Sequence, residues 1–227
     1  YKRKCCRFMS LPIDGIFSAL TEQLSSQTRV ILQAPPGAGK STRLPILLLE
    51  TANYSPQNQI YILEPRRVAA RQIAQYLAQQ LGEKVGQTIG LKMRGENQTS
   101  ANTILTIVTD GVMVRQIQSD PELSDIGLVI FDEFHERALQ TDLSLALVLD
   151  AQELNDEVNV LIMSATLDLQ KLSDQLDAPI VESKGRQFPV DVHYVSSSLI
   201  PTDEEILKAV TFALNEQSSS MLVFLSG

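Results

Sequence analysis

The sequence contains few of the residue types that would indicate a secreted, disulfide-stabilised or membrane protein. Its 227 residues include no tryptophan and two cysteines, and the cysteines are adjacent, at Cys5 and Cys6. An adjacent pair near one end cannot cross-link a core, so we expect a reducing cytoplasm. No apolar run approaches the roughly 18–20 residues that a membrane span requires. We therefore expect no membrane partner.

Basic residues are also scarce relative to acidic ones. The chain has 19 Lys and Arg against 27 Asp and Glu, which gives a formal net charge of −8. This balance excludes a broad electrostatic attraction to nucleic acid, so any such contact must come from a local group of cations. Hydrophobic residues make up 44% of the chain, which is enough to bury a sizeable core.

Short apolar runs alternate along the chain with longer amphipathic stretches. Near-continuous apolar strands separated by helices indicate an α/β fold with a mostly parallel sheet that helices cover on both faces. Strands are predicted at 29–33, 59–63, 103–108, 127–131 and 158–163, with shorter ones at 180–181 and 190–195. Helices are predicted at 45–49, 68–81 (ended by Gly82) and 111–118, and a further one through 149 that Thr141 or Asp142 caps.

The two ends of the chain differ from this central pattern. Residues 1–10 are a basic tail or upstream sequence, to which we assign no function. Residues 11–184 form the first domain. Residues 185–227 contain a linker rich in Ser and Pro around 195–204, a predicted helix at 203–215 and a predicted strand at 221–225. A lone helix and strand cannot make a domain, so we expect 185–227 to be the truncated start of a second one.

A phosphate-binding loop is predicted at 34–42, where the sequence is Ala-Pro-Pro-Gly-Ala-Gly-Lys-Ser-Thr. The loop follows a predicted strand and precedes a predicted helix, as such loops do. Glycines let the backbone approach phosphate oxygens, the lysine reaches the β and γ phosphates, and the hydroxyl binds Mg²⁺. The predicted nucleotide contacts are Gly37, Ala38, Gly39, Lys40, Ser41 and Thr42. The alternative is a glycine-rich turn with a solvated lysine.

A second group, Asp132-Glu133-Phe134-His135, comes directly after the most apolar strand. Carboxylates at the end of a parallel strand face the ligand crevice. We expect Asp132 to hold Mg²⁺ through water. Glu133, on the opposite side of the pleat, is placed to activate the attacking water. The metal set is then Ser41, Asp132 and Glu133. The alternative is an acidic helix start, because carboxylates favour that end of the helix dipole.

A third group is Ser164-Ala165-Thr166, which follows the fifth predicted strand. The hydroxyls of Ser164 and Thr166 are placed to sense a nucleotide through hydrogen bonds. Ordinary helix capping by Ser or Thr is the competing explanation, and in isolation it is the stronger one.

Taken in order, these segments resemble the motifs of superfamily 2 helicases of the DEAH/RHA type, and within that type most closely the bacterial HrpB group. The segments, which are similar to motifs I, Ia, Ib, II and III, are 34–42, Glu64-Pro-Arg-Arg-Val-Ala-Ala-Arg71, Thr109-Asp-Gly-Val-Met-Val-Arg115, Asp132-Glu-Phe-His-Glu-Arg137 and Ser164-Ala-Thr-Leu-Asp168. Segment 221–227 resembles motif IV of a second RecA-like domain.

The resemblance implies an ATP-dependent RNA helicase with a RecA-like fold that uses ATP or another NTP with Mg²⁺. It implies that Lys40 and Glu133 are catalytic and that His135 couples nucleotide state to the second domain. It places Arg66, Arg67, Thr109, Asp110 and Gly111 near the path of single-stranded or structured RNA, with DNA as the alternative.

The resemblance also has a gap, because motifs V and VI are absent and motif VI supplies arginine fingers in relatives. We therefore expect the chain to bind nucleotide but to hydrolyse it very slowly. Two alternatives stay open: a DNA helicase or translocase of the same superfamily, and a non-catalytic nucleotide-switch module.

Overall fold

The structure is a computed structural model, and it describes residues 11–165, 169–184, 192, 194, 202–216 and 221–224. The chain divides into two compact units, Tyr1–Arg186 and Gln187–Gly227. Among the described residues, no helix combines the length and the apolar character that crossing a membrane requires.

The first unit is built on an eight-stranded sheet in the order β4-β3-β5-β2-β6-β7-β1-β8. Every pairing is parallel except that of β3 with β4, which is antiparallel. The strands are β1 (Arg29–Gln33), β2 (Gln59–Leu63), β3 (Ile89–Met93), β4 (Glu96–Gln98), β5 (Leu105–Val108), β6 (Ile126–Phe131), β7 (Asn159–Ser164) and β8 (Ile180–Glu182).

Helices cover both faces of this sheet, as predicted. Side chains that alternate along the strands belong to two separate buried clusters, one on each face. One cluster includes residues of the first three helices, α1 (Phe17–Ser26), α2 (Leu44–Glu50) and α3 (Arg67–Gln80). The other includes residues of α4 (Asp110–Ser119), α5 (Leu139–Gln152) and α6 (Gln170–Leu176). All six residues of β6 are buried, which explains its uninterrupted apolar sequence.

The predicted strands and helices of the first unit are confirmed, apart from small shifts at their ends. The strand predicted at 103–108 begins later, at Leu105, because Thr103 is part of the preceding turn, where its hydroxyl donates to the Gln87 carbonyl at 2.8 Å. Gly82 ends α3 as predicted, in the left-handed conformation at φ 71°. Four of these α-helices and strands were not predicted: α1, β3, β4 and α6.

The prediction that Thr141 or Asp142 caps α5 is wrong. The helix begins at Leu139 with Ala138 at the capping position, and the amides of Thr141 and Asp142 both donate to the Ala138 carbonyl at 3.0 Å. Both residues therefore lie inside the first turn. Their side chains are engaged elsewhere, Thr141 with Asp110 and Asp142 with Arg137.

The second unit contains one described helix, α7 (Asp203–Glu216), which matches the helix predicted at 203–215. None of its side chains is buried. The strand predicted at 221–225 is not formed over the described residues 221–224. The prediction for 190–195 falls outside the described residues except at 192 and 194, neither of which is in a strand.

The parallel strands bring the predicted motifs to one edge of the sheet. The carboxyl ends of β1, β2, β5 and β6 lead directly into segments 34–42, 64–71, 109–115 and 132–137, respectively. Strand β7 ends at Ser164, the first residue of the segment 164–168, of which the structure describes residues 164 and 165. Since neighbouring parallel strands end at the same edge, segments that are far apart in sequence lie side by side there.

Candidate nucleotide-binding site

The loop at 34–42 has the backbone conformation that phosphate binding requires. Gly37 and Gly39 both have positive φ, at 77° and 98°, which is a region that other residues rarely adopt. One predicted contact is altered, because the Ala38 amide donates to the Pro35 carbonyl at 3.2 Å within the loop. The helix that follows also begins late, at Leu44, with turns between it and the loop.

A short 3₁₀ helix, Pro12–Gly15, braces the loop from outside. The Ile13 amide donates to the Ala38 carbonyl at 3.1 Å, and Asp14 forms an ion pair with Arg43 at 2.8 Å. A Cβ atom on Gly39 would lie 2.9 Å from the side chain of Leu11. Gly39 is therefore required both by its conformation and by close packing.

Lys40 is buried within the loop, with 5% of its surface exposed. Its ammonium group donates to the carbonyl of Ala34 at 2.6 Å and to that of Pro35 at 3.4 Å. The loop's own carbonyls thus hold the lysine at the mouth of the cradle. A bound phosphate would replace these neutral carbonyls with charged oxygens, to which the ammonium group donates stronger hydrogen bonds. The alternative of a solvated lysine is excluded by this burial.

Ser41 and Asp132 meet across the sheet edge, although 91 positions separate them in the sequence. The Ser41 hydroxyl donates to Oδ2 of Asp132 at 2.5 Å. Two hard oxygen ligands close together match the preference of Mg²⁺, which usually takes one or two protein ligands and completes its shell with phosphate and water. No three His, Cys, Asp or Glu residues of the described segments cluster as a metal site.

Asp132 is almost completely buried, at 1% exposed. Burial raises its pKa, while the hydrogen bond from Ser41 lowers it and the nearby charge of Glu133 raises it. Its second oxygen, Oδ1, accepts the amide of Glu133 at 2.9 Å. A cation between Asp132 and Ser41 would reverse the effect of burial by stabilising the charged form of the carboxylate.

Glu133 does not continue the pleat of β6, and that part of the prediction is wrong. Its backbone is left-handed, at φ 49°, and it precedes the 3₁₀ turn Phe134–Glu136, which ends at Arg137, also left-handed at φ 51°. The Glu133 carboxylate lies 3.3 Å from Nε2 of His135. The alternative of an acidic helix start holds only in a short form, because Glu133 is at the N-cap of a 3₁₀ helix of three residues.

Glu64 is part of the site although no functional role was predicted for it. It follows β2, its carboxylate accepts the Arg66 amide at 3.0 Å, and it is 3% exposed. Burial raises its pKa to about 7, and the negative charges of Asp132, Glu133 and Glu136 add to the rise. The signal in the sequence was an acidic residue directly after an apolar strand, the same signal that identified Asp132.

Ser164 is the last residue of β7 and is fully buried. Its carbonyl accepts the amide of Ala34 at 3.0 Å, so it lies beside the first residue of the phosphate loop. The capping explanation does not apply to Ser164, since it belongs to a strand. Thr166, the other predicted sensor, lies outside the described residues.

The two predicted nucleic-acid arginines, Arg66 and Arg67, are exposed at the start of α3. The Arg66 guanidinium forms an ion pair with Glu136, and that of Arg67 donates to the Arg94 carbonyl at 3.3 Å. Arg66 is 68% exposed in its side chain, so the ion pair is accessible to a competing anion.

The segment Thr109–Gly111 is only partly exposed. Gly111 is exposed and Thr109 is half-buried, but Asp110 is buried at 5%. The Asp110 carboxylate accepts the Thr141 hydroxyl at 2.9 Å, and burial raises its pKa. The Asp110 side chain therefore points into the protein, and the expected place of the segment 109–111 near the nucleic-acid path stays a prediction.

Residues 17–174 match the family model of DEAD/DEAH box helicases. Over 224 residues the chain is 49% identical to the ATP-dependent RNA helicase HrpB of Escherichia coli, and over 222 residues it is 33% identical to the ATP-dependent RNA helicase HrpA of Borreliella burgdorferi. Each match covers 96% of this chain and 27% of the relative, so the chain spans about a quarter of the length of these relatives.

Solved structures agree with the sequence comparison. A crystal structure of the E. coli DEAH/RHA helicase HrpB superposes with a TM-score of 0.88 at 48% identity, over 96% of this chain and 28% of that one. A structure of the E. coli DExH-box NTPase HrpB gives a TM-score of 0.82 at 48% identity, over 98% of this chain and 28% of that one. With the family model matching well over half of its length, the chain belongs to the DEAD/DEAH box helicase family.

Proposed function

We propose that this chain is the nucleotide-binding part of an ATP-dependent RNA helicase of the DEAH-box type. The observation that carries the proposal is the hydrogen bond between Ser41 and Asp132, because it joins the phosphate loop to the segment 132–137, here called the acidic box. Two relatives, HrpB of E. coli and HrpA of B. burgdorferi, are ATP-dependent RNA helicases, which supports the choice of RNA.

The domain assignment is part of the same proposal. Residues 11–184 make the first RecA-like domain, and residues 185–227 make a linker and the beginning of the second. The division of the chain after Arg186 supports a boundary at this place. ATP would be held by the first domain.

In this mechanism the phosphate loop binds the triphosphate. The backbone of 37–42 surrounds the phosphates, and Lys40 leaves the Ala34 carbonyl to pair with the β and γ oxygens. Ser41 and Asp132 are the residues that would hold Mg²⁺, Asp132 through water, with Glu133 close by. The ion neutralises charge on the β and γ phosphates when it is bound.

Glu133 is the residue that would take the proton of the attacking water. Its carboxylate is part-exposed and lies next to His135, which would hold it toward the phosphate and report its state to the second domain. The oxygen of the water would form a bond to the γ phosphorus, and the bond from that phosphorus to the oxygen shared with the β phosphate would break, so that ADP and inorganic phosphate leave. The proton moves from water to Glu133.

Arg66 and Arg67 would contact the phosphates of single-stranded or structured RNA, together with the backbone of Thr109 and Gly111. Such contacts grip the strand without reading its sequence. RNA phosphates would replace Glu136 as the partner of Arg66. A cytoplasmic location fits a chain whose two cysteines are adjacent.

The test compares ATP turnover by the full-length protein with RNA and with DNA of the same sequence and length. We expect RNA to raise the turnover at least tenfold more than DNA does. Equal stimulation by both would favour a DNA helicase or translocase. A full-length protein that binds ATP but is stimulated by neither would be a nucleotide switch, and would contradict the proposal.

A further inference from the structure

A buried polar contact joins the beginnings of α4 and α5, on the face of the sheet away from α1, α2 and α3. The Thr141 hydroxyl donates to Oδ2 of Asp110 at 2.9 Å, and the two residues are 4% and 5% exposed. The other oxygen, Oδ1, is buried without a partner among the described residues. Packing two helices does not require a carboxylate, and burying one is costly. The pair therefore needs an explanation other than packing.

The position of each partner suggests that explanation. Asp110 is the first residue of α4, between Thr109 and Gly111, which we assign to the nucleic-acid side. Thr141 lies in the first turn of α5, directly after the acidic box. Its neighbour Asp142 forms an ion pair with Arg137, the last residue of the box, at 3.1 Å. Two adjacent residues of α5 thus contact the acidic box and the start of α4.

The acidic box itself has features of a segment that can change conformation. Its turn Phe134–Glu136 is bounded by Glu133 and Arg137, two non-glycine residues that both have positive φ. Such backbone strain persists only where surrounding contacts hold it, and it is typical of segments that switch. A change in the contacts of Glu133 on hydrolysis would act on a strained turn and reach α5 through Arg137.

We propose that Asp110 and Thr141 are positioning residues that couple the acidic box to the segment Thr109–Gly111, and so couple hydrolysis to the grip on RNA. Both side chains are buried, so the proposed role requires no direct contact with nucleotide or RNA. This inference rests on the function proposed above. It gives the Asp110 side chain, which is too buried to contact nucleic acid, a role in positioning the segment that does.

The experiment uses full-length protein and a pair of matched variants. Thr141→Val removes the hydroxyl and keeps the shape, whereas Thr141→Ser keeps the hydroxyl. ATP turnover is measured without RNA and with increasing single-stranded RNA, and calorimetry gives the Kd for ATP. We expect Thr141→Val to keep basal turnover and the Kd for ATP within about twofold of the wild type. The factor by which RNA raises turnover should fall roughly tenfold, which is a typical coupling between two sites. Thr141→Ser should behave as wild type.

Thr141→Val leaves a buried carboxylate without a partner and could be unstable for that reason. A second variant therefore tests the coupling without an unpaired buried carboxylate. The double variant Asp110→Leu with Thr141→Val replaces both partners by apolar groups, which is often nearly neutral for stability. It should fold and show the same loss of stimulation as Thr141→Val. Thermal denaturation of both variants checks the folding.

Three results would overturn the inference. One is wild-type stimulation in the double variant. Another is a loss in Thr141→Ser as large as in Thr141→Val. The third is an equal fall of basal and stimulated turnover, which would show a merely structural contact. If RNA does not stimulate the wild type, the proposed function fails and the coupling with it; if wild type and variants are stimulated alike, only the coupling fails.

Discussion

At the scale of single residues, Lys40 is the side chain on which nucleotide binding depends most. Its ammonium group is buried and held by the loop carbonyls that a phosphate would replace. We expect Lys40→Ala to weaken ATP binding to this chain by at least roughly 100-fold, since charge-assisted hydrogen bonds are lost. Calorimetry measures the effect, with Lys84→Ala, an exposed lysine, as the control. Wild-type affinity for Lys40→Ala would refute the assignment.

Glu133 should be needed for the hydrolysis of ATP but not for its binding. Its carboxylate lies near His135 and beside the proposed metal ligands, where it can take a proton but is not needed to hold the phosphates. In full-length protein, Glu133→Gln should leave the Kd for ATP within about threefold and lower turnover by roughly 10² or more, the usual effect of losing a general base. Glu153→Gln, at an exposed glutamate, is the control. A variant with normal turnover would remove Glu133 from the mechanism.

Glu64 makes the stability of the chain depend on pH. Its pKa is about 7 in the folded chain against an ordinary 4.5. Between these values the unfolded chain loses the proton and the folded chain keeps it, so the carboxyl group lowers stability as the pH rises. By pH 8 the loss is on the order of 3 kcal/mol, because a shift of one pKa unit corresponds to about 1.4 kcal/mol.

Glu64→Gln should therefore flatten the change in stability between pH 5 and pH 8, because glutamine does not titrate. Urea unfolding at the two pH values, without nucleotide or Mg²⁺, measures the change. Glu50→Gln, at an exposed glutamate, should keep the slope of the wild type. A Glu64→Gln slope equal to that of the wild type would show that this carboxyl group is ionised in the folded chain.

At the scale of elements, the segment Pro12–Gly15 and the phosphate loop act as one unit. Gly39 has φ 98°, and a Cβ there would approach Leu11 to 2.9 Å. We expect Gly39→Ala to cost about 2 kcal/mol from backbone strain and overpacking. That loss corresponds to a melting temperature lower by roughly 4–8 °C for a chain of this size. Gly15→Ala is the matched control, because no atom lies within 4 Å of its Cβ position. Equal melting temperatures would contradict the close packing.

The elements that the sequence predicted are those whose patterns are strong and local. The strand at Ile126–Phe131 is apolar throughout, so its burial was evident without knowing its neighbours. The hairpin of β3 and β4 was missed because Glu96–Gln98 is wholly polar and lies at the sheet edge, where one face meets solvent. The prediction that Thr141 caps a helix was wrong because the Thr141 hydroxyl donates instead to Asp110, a residue 31 positions earlier.

The residues of the candidate site were predictable because their sequence patterns are also local, but the directions of their side chains were not. Residue types and spacing identified Lys40 and Asp132, and parallel topology brought their segments to one edge. The direction of each side chain was not predictable, because it depends on contacts between distant segments. Thus Asp110 points inward and Glu64 is buried, although both are acidic residues directly after or near a strand end.

At the scale of the whole molecule, the chain spans about a quarter of the relatives that it matches. Its net charge of −8 offers little attraction for RNA, so most of the affinity should come from outside this chain. Groups outside this chain should also supply most of the rate of hydrolysis. Arginine fingers, which the family supplies from motif VI, contribute roughly 10³–10⁵ in rate, and no segment of this chain resembles that motif.

The most direct test of this account measures ATP turnover by this chain and by the full-length protein in one assay, with and without RNA. We predict that the full-length protein is stimulated by RNA at least tenfold. The chain should bind ATP in the same buffer but turn it over at least roughly 10³ times more slowly, with or without RNA. Turnover by the chain at the rate of the full-length protein, or full-length turnover that RNA does not change, would contradict the account.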